Sequence, residues 1–344
     1  MSTMTPTAPI APATVEDLPA APRDWLPLLL VPVLVLLALP LVGSLPTWAT
    51  LTIAGLAMGL IIFLVASGLT LVFGLMDVMN FGHGIFVALG AYVGVSTISA
   101  LGGWTGSSSF ALNLAAIACA GLAAAVVAGT VGVIFERVVV RPVYGLHLKQ
   151  ILVTMGGMIV AEQVILALWG PEARPMIRPA SLQGSFIVAD VAIEKFRLLA
   201  VCLGLTIFAA MYLLLNRTKL GLLIRAGVQD REMVEALGYR VRFLFIGVFA
   251  AGSALAGLGG SMFGLYQEIV TTAIGAQMMV LIFIVIIIGG LGSVGGCFVG
   301  ALLVGLVSNY VGFVAPKVNL FSSILLMVLI LLWRPQGLFP VAKR

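Results

Sequence analysis

Long apolar runs broken by short polar stretches set the pattern of this chain. They lie at about 25–45, 49–75, 84–101, 110–135, 150–169, 198–215, 243–266, 276–291, 296–314 and 319–333, each bounded by charge, proline or a glycine cluster. A helix that crosses a bilayer needs about 20 apolar residues, so the pattern predicts an all-α, polytopic integral membrane helix bundle of about ten transmembrane helices, within a range of about 8–11. A closed barrel alternates apolar and polar residues in segments of about ten, and Leu281 to Ile288 do not alternate. Residues 1–24 are rich in Pro, Ala and Thr, and Glu16, Asp17, Arg23 and Asp24 give them a net charge of −2. They read as a disordered cytoplasmic leader, because a secretory signal opens on positive charge. Residues 25–344 read as one transmembrane domain, whose first span contains Pro27, Pro32 and Pro40.

Composition agrees and sharpens the class. Hydrophobic residues make up 61% of the 344 and charged residues 9%, whereas a soluble domain is about 25% charged. Forty glycines suit helices that pack closely within lipid. The net charge of +5 comes from basic residues scattered between apolar runs without an aromatic platform, which excludes nucleic acid as a partner. Cys119, Cys202 and Cys297 each sit alone in an apolar run and read as packing residues.

The basic residues set orientation, since cytoplasmic loops hold the Lys and Arg excess. Arg137, Arg141 and Lys149 lie in the link 136–149; six basic residues lie in 216–242; Arg334, Lys343 and Arg344 close the chain. These stretches fall on one side, with both termini cytoplasmic, and the link 171–197 falls on the outer side.

Small residues recur at four-residue spacing, which puts them on one helix face: Gly252, Ala256, Gly260 and Gly264; Gly121, Ala125 and Gly129; Gly90 and Gly94; Gly296 and Gly300. They serve close packing or leave room for a small solute. Glycine-rich breaks at 74–84 and 289–296 are either cytoplasmic turns or re-entrant interruptions, because non-helical backbone at membrane depth needs protein or water around it. Their positions hint at an internal repeat.

Asn80 and His83, with Asp77, supply the hydrogen-bonding side chains of the first break; they cap helix ends or face a solute route. A metal site is not indicated, because His147, the other histidine, lies in a different loop without a carboxylate at ligand spacing. Glu162, beside Gln163, sits inside an apolar run. An ionisable residue there marks a functional position unless it reaches the interface. Glu268, with Gln267, reads as water-facing at the outer end of a span. In the basic link 216–242, Asp230 suits an N-cap, Glu232 the positive end of the helix dipole and Gly238 a C-terminal stop. They define a two-turn helix at 231–237. So short a helix is marginal in water, so Met233, Val234, Ala236 and Leu237 need a surface, and the acidic residues around them favour a protein partner over lipid headgroups.

The segments Gly68-Leu69-Thr70-Leu71-Val72-Phe73-Gly74, Met79-Asn80-Phe81-Gly82-His83-Gly84 and Leu89-Gly90-Ala91-Tyr92 resemble the permease subunit of branched-chain amino acid ABC importers. Glu136-Arg137 with Arg141-Pro142, Arg225-Ala226 through Gln229-Asp230, Gly289-Gly290-Leu291-Gly292-Ser293 and Arg334-Pro335-Gln336-Gly337-Leu338 extend the resemblance from about 48 to 340. It implies a bacterial inner-membrane subunit that pairs with a second, related permease and two cytoplasmic ATPases and receives a small solute from an external binding protein. It places ATP-subunit coupling at Arg225, Asp230, Arg231, Glu232, Glu235, Ala236 and Gly238. The loop here is a loose version of the general importer pattern, and some relatives carry urea or short amides. Candidate path residues are Asn80, His83, Glu162 and Gln163. No cofactor is expected in this chain, ATP being used by the partners. The chain lacks any Gly-Lys pair, so it holds no phosphate-cradling loop ending in Gly-Lys-Ser/Thr, and it groups no nucleophile, base and orienter; an enzyme is not expected. The rival reading is an ion-coupled secondary transporter or channel using Glu162.

Overall fold

Every one of those apolar runs forms a helix. A computed structural model describes residues 26–340, apart from Asp230 and the side chains of Leu220, Ile224, Arg225, Val228, Gln229, Arg231, Glu232 and Leu320. The expected leader at 1–24 lies outside the described residues. The helices are α1 (Leu26–Val42), α2 (Leu45–Met76), α3 (His83–Ala100), the short α4 (Gly102–Thr105), α5 (Phe110–Phe135), α6 (His147–Trp169) and α7 (Lys195–Arg217), then α8 (Lys219–Gln229), α9 (Arg231–Ala236), α10 (Val241–Gln267), α11 (Ile274–Gly289), α12 (Val294–Val314) and α13 (Asn319–Trp333). Seven are long and apolar enough to cross a membrane, while α1, α11 and α13 have 17, 16 and 15 residues. The chain is therefore a multi-pass, all-α membrane protein.

The loops sort into two ends. At one, Asp77 lies 3.9 Å from His147, and the final segment donates Leu338 N–H to Ile288 O (2.8 Å) and Phe339 N–H to Gly289 O (3.0 Å). This is the basic end. At the other, the link 171–197 meets the loop after α10 through Met176 N–H to Glu268 O (2.9 Å) and meets α2 through Ala192 N–H to Thr50 Oγ1 (3.3 Å). The opposition expected between that link and the basic stretches is thus present. The link is not featureless. Strand β1 (Arg174–Pro175) pairs antiparallel with β4 (Ile269–Val270), and β2 (Ser185–Val188) with β3 (Val191–Glu194) around Ala189-Asp190, whose φ values of 50° and 65° suit a tight primed turn.

The bundle is an inverted repeat. Helices α2, α3, α5 and α6 correspond to α10, α11, α12 and α13 run in the opposite direction: α2 packs on α12 as α10 packs on α5, α3 on α5 as α11 on α12, and α6 on α3 as α13 on α11. The two sets meet where glycines approach reciprocally. A Cβ at Gly252 would lie 2.6 Å from Gly68 O, and Gly68 likewise faces Gly252 O; a Cβ at Gly84 would lie 2.5 Å from Gly275 O and one at Gly275 2.7 Å from Gly84 O.

The repeat corrects the pairing of breaks suggested by the sequence. The His83 ring reaches the carbonyl of Val65, eleven residues before the end of α2, so the segment 77–82 returns about 16 Å into the bundle before α3 begins. Its counterpart is 268–274. Gly275 sits opposite Gly84, sixteen residues and about 24 Å from the far end of α3 at Ala100, so α11 also starts deep in the bundle. The glycine cluster at 289–296 is instead a tight turn at the basic end, with φ of 97° at Gly290 and 81° at Gly292 and with Ser293 Oγ capping α12 by accepting Gly296 N–H at 3.1 Å.

Core packing follows the small residues, with one shift of register. The stripe Gly252, Ala256 and Gly260 is buried against α2 and α3. On α5, however, the fully buried stripe is Ala116, Ala120, Ala124, Ala128 and Gly132. Ala125 and Gly129, expected there, line a groove beside Ala250 and Ala254. Gly121 of the expected stripe is itself buried, and a Cβ at Gly129 would lie 3.3 Å from Ala250 O, so that stripe forms the edge of the contact with α10 and the alanine stripe its centre.

Candidate translocation face and docking element

The return segment 77–82 is held by its own chain. Met79 N–H donates to Gln150 Oε1 (3.3 Å) and Phe81 N–H to Thr154 Oγ1 (3.2 Å), both on α6. Gly82 N–H donates to Asn80 Oδ1 (3.0 Å). Phe81 packs on Phe283 of α11 with ring centroids 4.7 Å apart. Asn80 and His83 are buried, and the His83 Nε2 contact with Val65 O is 3.2 Å. Both side chains therefore brace the break from within in this conformation. Burial leaves Asn80 Nδ2 and His83 Nδ1 without hydrogen-bond partners among the described residues.

Glu162 and Gln163 lie elsewhere on the helix that pins this segment. Phe81 meets Thr154 and Ser96 meets Trp169, a constant offset that makes α6 run parallel to α3 and sets Glu162 level with Leu89. That is about 10 Å inward of Trp169 and about 8 Å from the level of Gly84. Glu162 is partly exposed and Gln163 exposed, and neither has a hydrogen bond or ion pair among the described residues. The sequence reading missed Gln277. It is exposed in the first turn of α11, two residues from Gly275, and a lone carboxamide in the run 276–291 was its signal. Helices α6 and α11 both pack on α3.

Glu268 is not simply water-facing. Its Oε1 is 3.1 Å from Arg178 Nε, and Arg178 Nη1 donates to Glu194 Oε2 at 3.1 Å, while Arg197 Nη2 is 2.6 Å from Glu194 Oε1. Arg178 also donates to the carbonyls of Leu265 (2.9 Å) and Tyr266 (2.8 Å). This network, which the sequence did not reveal, fastens the link 171–197 to the end of α10.

At the basic end the expected helix 231–237 appears as α9, with Leu237 in the following turn. Gly238, with φ of 87°, stops it: Tyr239 N–H donates to Val234 O (3.3 Å) and Gly238 N–H to Glu235 O (3.0 Å), the paired closure of a Schellman motif. Asp230 and the side chains of Arg225, Arg231 and Glu232 lie outside the described residues. Glu235 and Ala236 are exposed. The apolar residues divide: Val234 is buried, whereas Met233 is 59% and Leu237 68% exposed. α8 precedes α9 and was not foreseen; the sequence treated 216–230 as loop.

A multi-pass helical bundle with two re-entrant helix starts and an outward-pointing element at its basic end is the architecture of a membrane permease. The family model described as "Branched-chain amino acid transport system / permease component" matches residues 51–333, and the chain belongs to that family. It is similar to the high-affinity branched-chain amino acid transport system permease protein BraD of Pseudomonas aeruginosa, with 27% identity over 83% of this chain and 93% of that protein. It is similar also to LivH of Salmonella typhimurium, with 25% identity over 83% and 92%. A third relative is the probable branched-chain amino acid transport permease protein LivH of Methanocaldococcus jannaschii, at 22% over 81% and 88%. No solved structure matches the chain.

Proposed function

We propose that this chain is the transmembrane permease subunit of an ATP-driven ABC importer in the bacterial cytoplasmic membrane, moving branched-chain amino acids or a similar small polar solute. The single observation that carries the reading is α9: a two-turn element at the basic end, stopped by Gly238 and presenting Met233 and Leu237 outward. Exposed apolar residues on so short a helix call for a protein groove, and a cytoplasmic ATPase provides one. Residues Arg225 to Gly238, with Asp230, Arg231, Glu232, Glu235 and Ala236, form the coupling element in this reading. The basic end is then cytoplasmic by the distribution of Lys and Arg, ten helices cross the membrane, and both termini are inside.

ATP binding and hydrolysis belong to two partner ATPases, solute capture to an external binding protein docking at the link 171–197, and the path to this chain with a second, related permease. Along that path Asn80 and His83 support the return segment before α3, while Glu162, Gln163 and Gln277 offer polar groups to the solute. Purification from a membrane expressing the neighbouring genes tests the assembly: ATPase subunits should co-purify, and uptake of leucine into vesicles should require ATP. The mid-membrane Glu162 favours a second reading, an ion-coupled transporter. Leucine uptake driven by an ion gradient in vesicles holding this chain alone would establish it and sink the importer.

A further inference from the structure

We propose that the pocket between the outer end of α3 and strand β1 receives the free carboxylate of the solute, with Arg174 as the cation that holds it. The inference rests on the importer reading above, to which it adds a binding station on the permease itself.

Three arginines lie in the link 171–197. Arg178 is paired with Glu194 and Glu268, and Arg197 with Glu194. Arg174 forms no ion pair among the described residues, although Glu172 is two positions away. Its side chain is nevertheless fixed. Nε and Nη2 both donate to the carbonyl of Trp169, at 3.2 and 2.7 Å, and its backbone pairs with Val270 across the β1–β4 ladder. A guanidinium carries five N–H donors, so the two on Nη1 and one on Nη2 remain as a set fork. That fork matches a carboxylate, and holding it in place beforehand removes the cost of ordering a long side chain when the solute arrives.

The surroundings suit an amino acid with an apolar tail. Val95, Ser96, Ser99, Arg174 and Pro175 line a cavity of about 420 Å³, within the size range of small-molecule sites. Two hydroxyls and the guanidinium stand there beside Val95 and Pro175, and a few polar groups on an apolar lining are what orient a small ligand. The wall is braced: Trp169 Nε1 donates to Ser96 Oγ at 2.9 Å, and the Trp169 ring lies on Tyr92 with centroids 5.4 Å apart. Close behind, Tyr92 keeps a buried hydroxyl without a hydrogen-bond partner among the described residues. Glu162 lies seven residues before Trp169, on the same face of α6 and about 10 Å further in. An amino acid carries its ammonium and carboxylate on one carbon, about 3 Å apart, so Arg174 and Glu162 meet them in turn rather than together.

Cysteine protection in right-side-out vesicles that hold the whole importer, washed free of binding protein, tests the site. Ser99→Cys is labelled with a membrane-impermeant maleimide, and Ser96→Cys is a second probe should the first variant fail to fold. A transit site must bind weakly enough to release its solute. The expected Kd is therefore about 1 mM, and L-leucine at about 10 mM should slow labelling about ten-fold. Leucinamide, which lacks the carboxylate, should slow it less than about two-fold at the same concentration. Adding Arg174→Gln should abolish the protection by leucine and leave the rate without leucine unchanged. No protection by leucine, equal protection by leucinamide, or protection that survives Arg174→Gln overturns the site. So does protection by the solute-free binding protein in place of leucine, which would assign Arg174 to docking. Leucine uptake is measured in the same vesicles after the binding protein is restored, with and without ATP inside. Uptake that needs no ATP, beside carboxylate-dependent protection, would reject the importer while keeping the site, so the two failures are distinguishable.

Discussion

Replacing Gly84 by Ala tests whether the two re-entrant helix starts are locked together. The new Cβ would lie 2.5 Å from Gly275 O and 3.0 Å from its carbon, where ordinary contact begins near 3.4 Å. The obstacle is backbone, so α3 and α11 must part by about 0.9 Å. Overfilling a packed interface costs about 1–3 kcal/mol, while Ala gains up to about 1 kcal/mol over Gly in a helix. The net expectation is a loss of about 1–2 kcal/mol, a five- to thirty-fold fall in the folded-to-unfolded ratio. Gly275→Ala should cost a similar amount, because its Cβ would lie 2.7 Å from Gly84 O. The double variant should cost less than the sum, since one separation relieves both contacts. Denaturant titration of the detergent-purified chain, followed by circular dichroism, reads all three. Gly156→Ala is the control: its Cβ meets nothing within 4 Å, so the isolated chain should be unchanged or slightly stabilised. Gly84→Ala unfolding at the wild-type midpoint, or strictly additive losses in the double variant, would refute a shared backbone contact.

Three further outcomes follow from the same geometry. Glu162→Leu should insert at least as well as wild type, because a carboxylate costs about 2.5–3.5 kcal/mol at the bilayer centre, yet it should lower ATP-dependent leucine uptake at least ten-fold; unchanged uptake removes Glu162 from the path. Gly238→Val, at φ of 87°, costs about 1–2 kcal/mol of local backbone strain with no steric clash, so membrane levels should hold while stimulated ATP hydrolysis is lost, and normal hydrolysis would reject α9 as the coupling element. Arg178→Met strands Glu268 and leaves Glu194 to Arg197 alone; with side-chain exposures of 14% for Arg178, 31% for Glu194 and 54% for Glu268 the loss should be roughly 1 kcal/mol, below the 3–5 of a fully buried pair. It should show as faster proteolysis of the link 171–197 in right-side-out vesicles, and an unaltered digestion rate would mean the network does not hold the link.

In the proposed importer, ATP hydrolysis and solute capture fall to partner subunits and the path to this chain. Its polar side chains are concentrated at the return segments, on α6, in the link 171–197 and in the element 219–238, while the apolar helices build a close-packed frame. The glycine contacts make that frame stiff where α3 and α11 begin. In the proposed importer a docking event at α9 would therefore move helices as units, since α9 and α8 pack on α10, and α10 packs on α2 and α3.

What the sequence determined by itself was local and periodic. Apolar length specified the helices, Lys and Arg distribution specified which links share an end, and Gly238 specified where α9 stops, because bilayer thickness, loop charge and left-handed backbone each act on a few neighbouring residues. Tertiary structure alone decided the rest. That 268–274, rather than 289–296, mirrors 77–82 depends on Gly275 meeting Gly84 across 190 positions of chain. The buried stripe of α5 depends on which neighbour it faces, and the Arg178 network joins residues from three separate stretches. Asn80 and His83, alike in the sequence to Glu162 and Gln163 as polar groups among apolar ones, became internal braces while the other pair stayed open. Depth and direction, set by how the two halves of the bundle pack, separate them.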